Sequence, residues 1–307
     1  MFFHIPRFPA ALCNIGTVAT LLMLLCSGKA VSHPDSLLVV SWNIENFFDC
    51  TDEGGGDSDR AHTPEGERHW TTGRFYAKCQ GIAKTLLLIA ERYGRLPDAV
   101  ALQEVENRRV LQRLLEATPL RKIGYGIAHV DSPDRRGIDC ALLYRKSTLP
   151  LVRTRARHLY DSTGHIIPTR DILLAEFPGF DILVNHHPSR IGNGSGYRRT
   201  VARQSLQHLL DSLETAGHPH LLAVGDFNDA LWGDSGNGTI KYHGRWEKID
   251  GHFQRGIANV REETFADACL SEEDRSFGGL KPHRTYIGPR YRGGISDHYP
   301  IVLVVVL

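Results

Sequence analysis

Five short apolar runs in this 307-residue chain stop at polar side chains that core packing does not require, and this constrains the fold most. Ser36–Trp42 (SLLVVSW) runs into Asn43-Ile44-Glu45, and Asp98–Gln103 runs into Glu104. DILV, at 181–184, ends in Asn185-His186-His187, and LLAVG, at 221–225, ends in Asp226-Phe227-Asn228-Asp229. The last run, Ile301–Val306 (IVLVVV), is preceded by Ser296-Asp297-His298. Runs this short, and partly β-branched, read as buried strands. In layered α/β proteins the strand ends on one edge converge on a crevice. The sequence therefore predicts one pocket in which Glu45, Glu104, Asp226 and Asp297 meet two histidines and two asparagines.

Carboxylates crowded into a pocket repel each other, and their ionised forms are costly unless a cation lies between them. Hard oxygen ligands with little sulfur point to Mg²⁺, with Mn²⁺ or Ca²⁺ as alternatives. The HExxH and paired-cysteine spacings of zinc sites are absent from the sequence. A divalent cation, a carboxylate that orients water and histidines that neutralise an anion make a centre for phosphoester hydrolysis. Each residue also has a plainer reading. Glu104 precedes a helical stretch and could cap it, and Asp226 with Asn228 is good turn chemistry. Ser296-Asp297 could be an Asx-turn pair, and His186 or His187 a satisfied core histidine.

Three helices are expected. Arg74–Tyr93 places Phe75, Cys79, Ile82, Leu86, Ile89 and Tyr93 at spacings of three and four, and Gly94 closes it. Asn107–Ala117 is the second, and Tyr197–Glu214 the third, with Ala202, Leu206, Leu209, Leu210 and Leu213 on one face. Several strand-like runs fill Ile123–Glu176, and Asp181–Asn185 reads as the return strand of a hairpin over Pro178-Gly179. The glycine-rich stretch Asp49–Gly66 is long for an internal loop, so it is mobile or functional. Strands outnumber helices and interleave with them, which favours a layered α/β sandwich with at least one mixed sheet. No linker breaks 36–307, so one domain is expected there.

The first thirty residues read as an export leader: Arg7, an apolar stretch from Ala10 to Cys26, then small residues at Ser27, Gly28 and Ala30. An uncleaved N-terminal anchor is the alternative. Either way the protein is expected to be exported, periplasmic or extracellular. Beyond the leader, Cys50, Cys79, Cys140 and Cys269 allow three pairings, and their spacing does not choose among them. Lys+Arg total 36 against 35 Asp+Glu, so no strongly basic nucleic-acid footprint exists and any phosphate site must be local.

WNIEN (42–46), LQEVE (102–106), NHHPSR (185–190), GDFND (225–229), WEKID (246–250) and GGISDHYP (293–300), in this order, resemble the endonuclease/exonuclease/phosphatase superfamily. The stretches TPEGERHW, RGID before ALLYR, and HRTY are similar to a secreted bacterial branch of it. The resemblance implies a four-layer α/β sandwich, two packed mixed β-sheets flanked by helices. It implies Glu104 as principal metal ligand, Glu45 in the other acidic ligand position, and Asp297 as a second metal or water contact. Asn43 would hydrogen-bond the phosphate or a metal-bound water, and Asp226, held by Asn228, would orient or deprotonate the attacking water. His298 would contact the scissile phosphate with its tautomer set by Asp250. His186 matches the family's other active-site histidine, since His187 points to the opposite face if the strand continues. Arg136, Asp139 and Arg190 flank the motifs as candidate phosphate contacts, whereas Arg198 reads better as a surface ion pair.

The expected function is an exported, divalent-metal-dependent nuclease cleaving DNA or RNA phosphodiesters by in-line attack of water. Arg135-Arg136, Arg190 and Arg198-Arg199 would supply a local basic patch. The alternative is a phosphatase or phosphodiesterase acting on lipid headgroups, inositol phosphates or nucleotides, although no long apolar insertion suggests a lipid-docking hairpin. A non-catalytic binding protein is disfavoured because Glu104, Asp226 and His298 are all present. No obligate protein partner is inferred, and a monomer is expected.

Overall fold

In the computed structural model, residues 36–307 are described except 55, 191–194 and 232–237; the expected leader, 1–30, lies outside them. The strands in chain order are β1 (Ser36–Phe47), β2 (Ala99–Val105), β3 (Tyr125–His129), β4 (Asp139–Arg145), β5 (Arg153–Arg157), β6 (Ile172–Phe177), β7 (Phe180–His186) and β8 (Leu221–Asp226). The remaining ones are β9 (Ile240–Tyr242), β10 (Arg245–Glu247), β11 (Asp250–Arg255), β12 (Asn259–Thr264), β13 (Ser271–Glu273), β14 (Leu280–Pro282), β15 (Tyr286–Ile287), β16 (Arg290–Tyr291) and β17 (Ile301–Val306). One six-stranded sheet runs β12-β17-β1-β2-β4-β3, and a five-stranded sheet runs β11-β8-β7-β6-β5. Each is mixed, with a single parallel pair, β1/β2 in one and β7/β8 in the other.

The burial pattern follows the strand period of two. On β1, Leu37 and Val39 face the second sheet, packing with Val184 and Val224, while Leu38, Val40 and Trp42 face the helices. Helix Thr72–Tyr93 lays Phe75, Cys79, Ile82, Leu86 and Ile89 on that outer face, joined by Val110, Leu111 and Leu114 of helix Arg108–Glu116. Helix Ser195–Thr215 covers the other sheet with Ala202, Leu206, Leu210 and Leu213. The order is helix, sheet, sheet, helix, the expected four-layer sandwich. Cys50, Cys79, Cys140 and Cys269 are free thiols, so none of the three pairings forms here.

Of the stretch Asp49–Gly66, the described residues carry a 3-10 turn, Arg60–His62, whose buried His62 stacks on Phe48 at 4.4 Å. The sequence reading overlooked β9 to β16. Strands such as β12 (NVREET) alternate exposed with half-buried residues at a sheet edge, so they lack the apolar run that marks a covered strand.

Gly225 joins fold to site. Its φ is +147°, and a Cβ there would lie 1.9 Å from the carbonyl oxygen of Asn185 on the parallel neighbour. Gly225→Ala is expected to cost about 3 kcal/mol through backbone strain and overpacking. Denaturant unfolding checks this, and an unchanged midpoint would refute the need for close approach.

Candidate active site

The two parallel pairs end at one edge of the sandwich, and their antiparallel neighbours begin there. His186 is in register with Asp226, and Asp226 with Asp250, while Asn43 pairs with Gln103 just before the end of β2. By strand alternation Asn43, His186 and Asp226 continue the face that begins as Val39, Val184 and Val224. The apolar layer between the sheets therefore opens into a cleft of about 1190 Å³ whose lining includes Asn43, Glu45, Glu104, His186, Asp226 and His298.

Glu104 reaches this cleft only through a backbone irregularity. Simple alternation would put it beside Leu102, on the helix-facing side. Both β1 and β2 shift register just here, and Glu45, Asn46 and Glu104 have φ of 47°, 52° and 65°. Left-handed backbone at non-glycine residues is costly, and such bulges re-aim side chains. Val105 then takes up the helix-facing core, and the Glu104 carboxylate is free to point inward.

Each acid is held by identifiable partners. Glu104 accepts from the Asn46 N–H at 2.8 Å and lies 3.4 Å from Arg136 and 4.0 Å from His186. Burial works to raise its pKa, but the Arg136 charge and that N–H outweigh burial and hold it well below the usual carboxylate range. Glu45 accepts from Arg284 at 3.1 Å and from the Thr285 N–H at 2.7 Å. Burial, then the charge of Asp297, pushes its pKa up to about 7. Arg284 also pairs with Asp297 at 3.0 Å, tying the two acids together.

Asp226 accepts from the Asn43 amide at 3.2 Å and the Asn228 N–H at 2.9 Å. Burial, then the nearby Asp250 charge, pushes it up to about 7. His298 Nδ1 lies 2.8 Å from Asp250 Oδ2, and its Nε2 lies 3.9 Å from Asp226. Thr239 donates to the same Asp250 oxygen at 2.5 Å. Burial opposes the charge on His298, yet Asp250, Asp226 and Asp297 together raise its pKa well above the ordinary value. His186 goes the other way: burial, then the Arg170 charge, lowers it far below that value. The two histidines are thus shifted in opposite directions, His298 toward the charged ring and His186 toward the neutral one.

The structure brings together Asn43, Glu45, Glu104, Arg136, His186, Asp226, Asp250, Asp297 and His298. His187 turns away, standing edge-on to Phe227 at 5.1 Å on the helix-facing side. Asn228 holds Asp226 through its backbone; its side chain donates to the His187 carbonyl. Arg190 lines the cleft paired with Glu247, and Arg198 lines it as an exposed side chain. Asp139 stands outside, accepting from the Ser132 N–H at 2.9 Å and 3.2 Å from His129, so it orders a loop instead of facing substrate. Asn185 likewise bonds the Leu183 carbonyl of its own strand.

Sequence reading missed four contributors. Lys78 is buried under Glu45, donating to its carbonyl and, at 2.8 Å, to Thr285; a lysine inside the apolar stripe of a helix was the available signal. Arg284 stood in HRTY without a role. Arg170 and Thr239 carried no local signal. Asp57 N–H donates to the Arg135 carbonyl at 2.6 Å, so the Asp49–Gly66 stretch backs the turn that presents Arg136.

The chemistry of the donors suits a hard divalent cation: Glu45, Glu104 and Asp297 bring carboxylate oxygens to one cleft, and burial of Glu45 raises its pKa, a cost to its charge that such an ion would offset. A second grouping of Asp226, Asp250 and His298 is already satisfied by the histidine–carboxylate bond.

A sandwich with acids and histidines at its strand ends is a layout for phosphoester chemistry, and the comparisons agree with that class. The chain belongs to the Endonuclease/Exonuclease/phosphatase family, whose profile matches residues 38–255. The chain is similar in structure to TDP2 from C. elegans, with TM-score 0.56 and 14% identity over 95% of this chain and 82% of that one. It is similar to the human Nocturnin catalytic domain with bound sulfate, TM-score 0.52 and 17% identity over 88% and 94%. A Bacteroides thetaiotaomicron protein of the same family gives TM-score 0.51 and 17% identity over 89% and 98%. No curated protein matches the chain by sequence.

The Asp250–His298 pair gives a pH test. A histidine whose folded pKa is raised contributes stability in full below its ordinary value, about 6.5, and loses it as pH rises through the raised value. Asp250→Asn removes the largest raising influence, so the His298 ring should lose its proton at lower pH. Proton NMR titration of the ring checks this; an unmoved titration would refute the pairing.

Proposed function

We propose that the protein is an exported, divalent-metal-dependent phosphodiesterase whose substrate is nucleic acid, acting by in-line attack of water on phosphorus. The observation that carries this reading is the Asp226–His298–Asp250 row standing beside His186 and Glu104 at one cleft. The family match supports hydrolysis of a phosphoester. The neighbour described as D. rerio TDP2 complexed with single strand DNA product supports a nucleic-acid substrate. Export rests on the leader reading alone.

Asp226, with its pKa near 7, is matched to accept the proton of the attacking water near neutrality. Asn43 and the Asn228 N–H fix that carboxylate in place. His298, charged and anchored by Asp250, faces the phosphate and stabilises the negative charge that grows on it. His186 is neutral, so its Nε2 can donate or accept without adding charge beside Glu104. Arg136 places a further cation next to the phosphate position. Glu104, Glu45 and Asp297 would hold the divalent ion, which supplies Lewis-acid charge neutralisation at the phosphoryl oxygen.

Hydrolysis of bis-p-nitrophenyl phosphate and of oligonucleotides should require added Mg²⁺ or Mn²⁺ and stop with EDTA. Asp226→Ala and His298→Ala should each lower kcat/KM by about 100-fold or more while the circular dichroism spectrum is kept. Glu104→Gln should raise the metal concentration needed for half-activity. Full turnover by Asp226→Ala or His298→Ala would overturn the assigned roles.

A further inference from the structure

One rim of the cleft is aromatic. Tyr242 and Phe277 line it together with the catalytic residues, yet they are 55% and 58% exposed. Rings that add little to a core and shape a cleft instead point to a ligand. They are rigidly built. Lys241 pairs with Asp274 at 3.0 Å, both side chains nearly buried, and donates to the Gly278 carbonyl at 2.6 Å. Gly244, at φ +78°, brings hairpin backbone so close that a Cβ there would lie 2.9 Å from the Phe277 Cβ. His243 stands edge-on to both rings, 4.3 Å from Tyr242 at 87° and 6.1 Å from Phe277 at 75°. A buried ion pair is an expensive way to fix a surface segment, and here it fixes one that leaves both aromatic side chains more than half exposed.

The rim is continuous with the chemistry. Thr239 bonds Asp250, the anchor of His298, and Tyr242 follows three residues on, about 10 Å of extended chain. Exposed Arg135 and Arg198 line the same cleft. Flat π faces beside cations suit a base on a phosphodiester backbone. In a duplex the base faces are covered by their neighbours, so only an unpaired strand can offer one.

We propose that Tyr242 and Phe277 form a stacking shelf for an unpaired nucleobase next to the scissile phosphate, and that the substrate is single-stranded nucleic acid. This rests on the phosphodiester reading of the site. The rings need no new order on binding, so the shelf selects unpaired strand by presenting area that a duplex cannot use.

The test is a fluorescence titration of the full chain, in EDTA, with a single-stranded oligodeoxynucleotide carrying 2-aminopurine, its duplex, and free deoxynucleoside monophosphate. The strand should bind at least tenfold tighter than the duplex or the monophosphate, with quenching of the probe. Tyr242→Ala and Phe277→Ala should each weaken strand binding about fivefold or more and relieve the quench. Tyr242→Phe should keep both, and Tyr160→Ala, an exposed ring outside the cleft, should change neither. Equal affinity for duplex, equal affinity for the monophosphate, or wild-type binding by both alanine variants would overturn the shelf. Failure of the underlying reading shows separately, as no phosphodiester hydrolysis by wild-type protein with any divalent metal.

Discussion

The site depends on one constraint of sheet geometry: each sheet contains a single parallel pair, and both pairs end at the same edge. Parallel neighbours stop together, so β1 with β2, and β7 with β8, deliver their last residues side by side. Their antiparallel partners β17 and β11 begin at that edge, bringing His298 and Asp250 from late in the chain. Convergence of residues more than 250 positions apart thus follows from strand direction, with no special loop needed to gather them (Trp42 Nε1 donates to the His298 carbonyl, 256 positions on). The apolar layer between the sheets gives the pocket its floor and removes water from one side. That low-dielectric setting makes every carboxylate placement consequential.

The fold was legible where a strand is covered on both faces. β1, β2, β7, β8 and β17 announce themselves as apolar runs, and their polar ends marked the pocket before any topology was known. Helix Thr72–Tyr93 was equally plain from its stripe. What escaped was edge and hairpin structure, β9 to β16, where one face or none is buried and pairing depends on backbone bonds that side-chain pattern does not encode. The same blindness hid Thr239 and the aromatic rim, both on such segments.

At the site, residue identity was legible and orientation was not. Glu104 could be named, but not that left-handed backbone turns it away from the face shared with Leu102. His186 could be separated from His187 because alternation alone decides it. Asp139 could not be judged in advance: it starts a strand beside the cleft, and only its bonds to Ser132 and His129 show that it serves the loop. Pattern fixes the period of a strand, whereas bulges and long-range ion pairs belong to the assembled structure.

Those ion pairs decide how the pocket tolerates its own charge. Unpaired buried carboxylates would protonate or unfold the edge. Here Arg136 neutralises Glu104, Arg284 bridges Glu45 and Asp297, and Lys78 lies beneath Glu45. His298 answers Asp250 and Asp226. The acids therefore come with protein counterions, so the edge does not need a cation as a staple in the way that a zinc-bound module does. The compensation is uneven: Glu104 is held far down, while Glu45 and Asp226 stay near 7. That difference fits the proposed roles of Glu104, firmly ionised beside a cation, and of Asp226, able to exchange a proton with water.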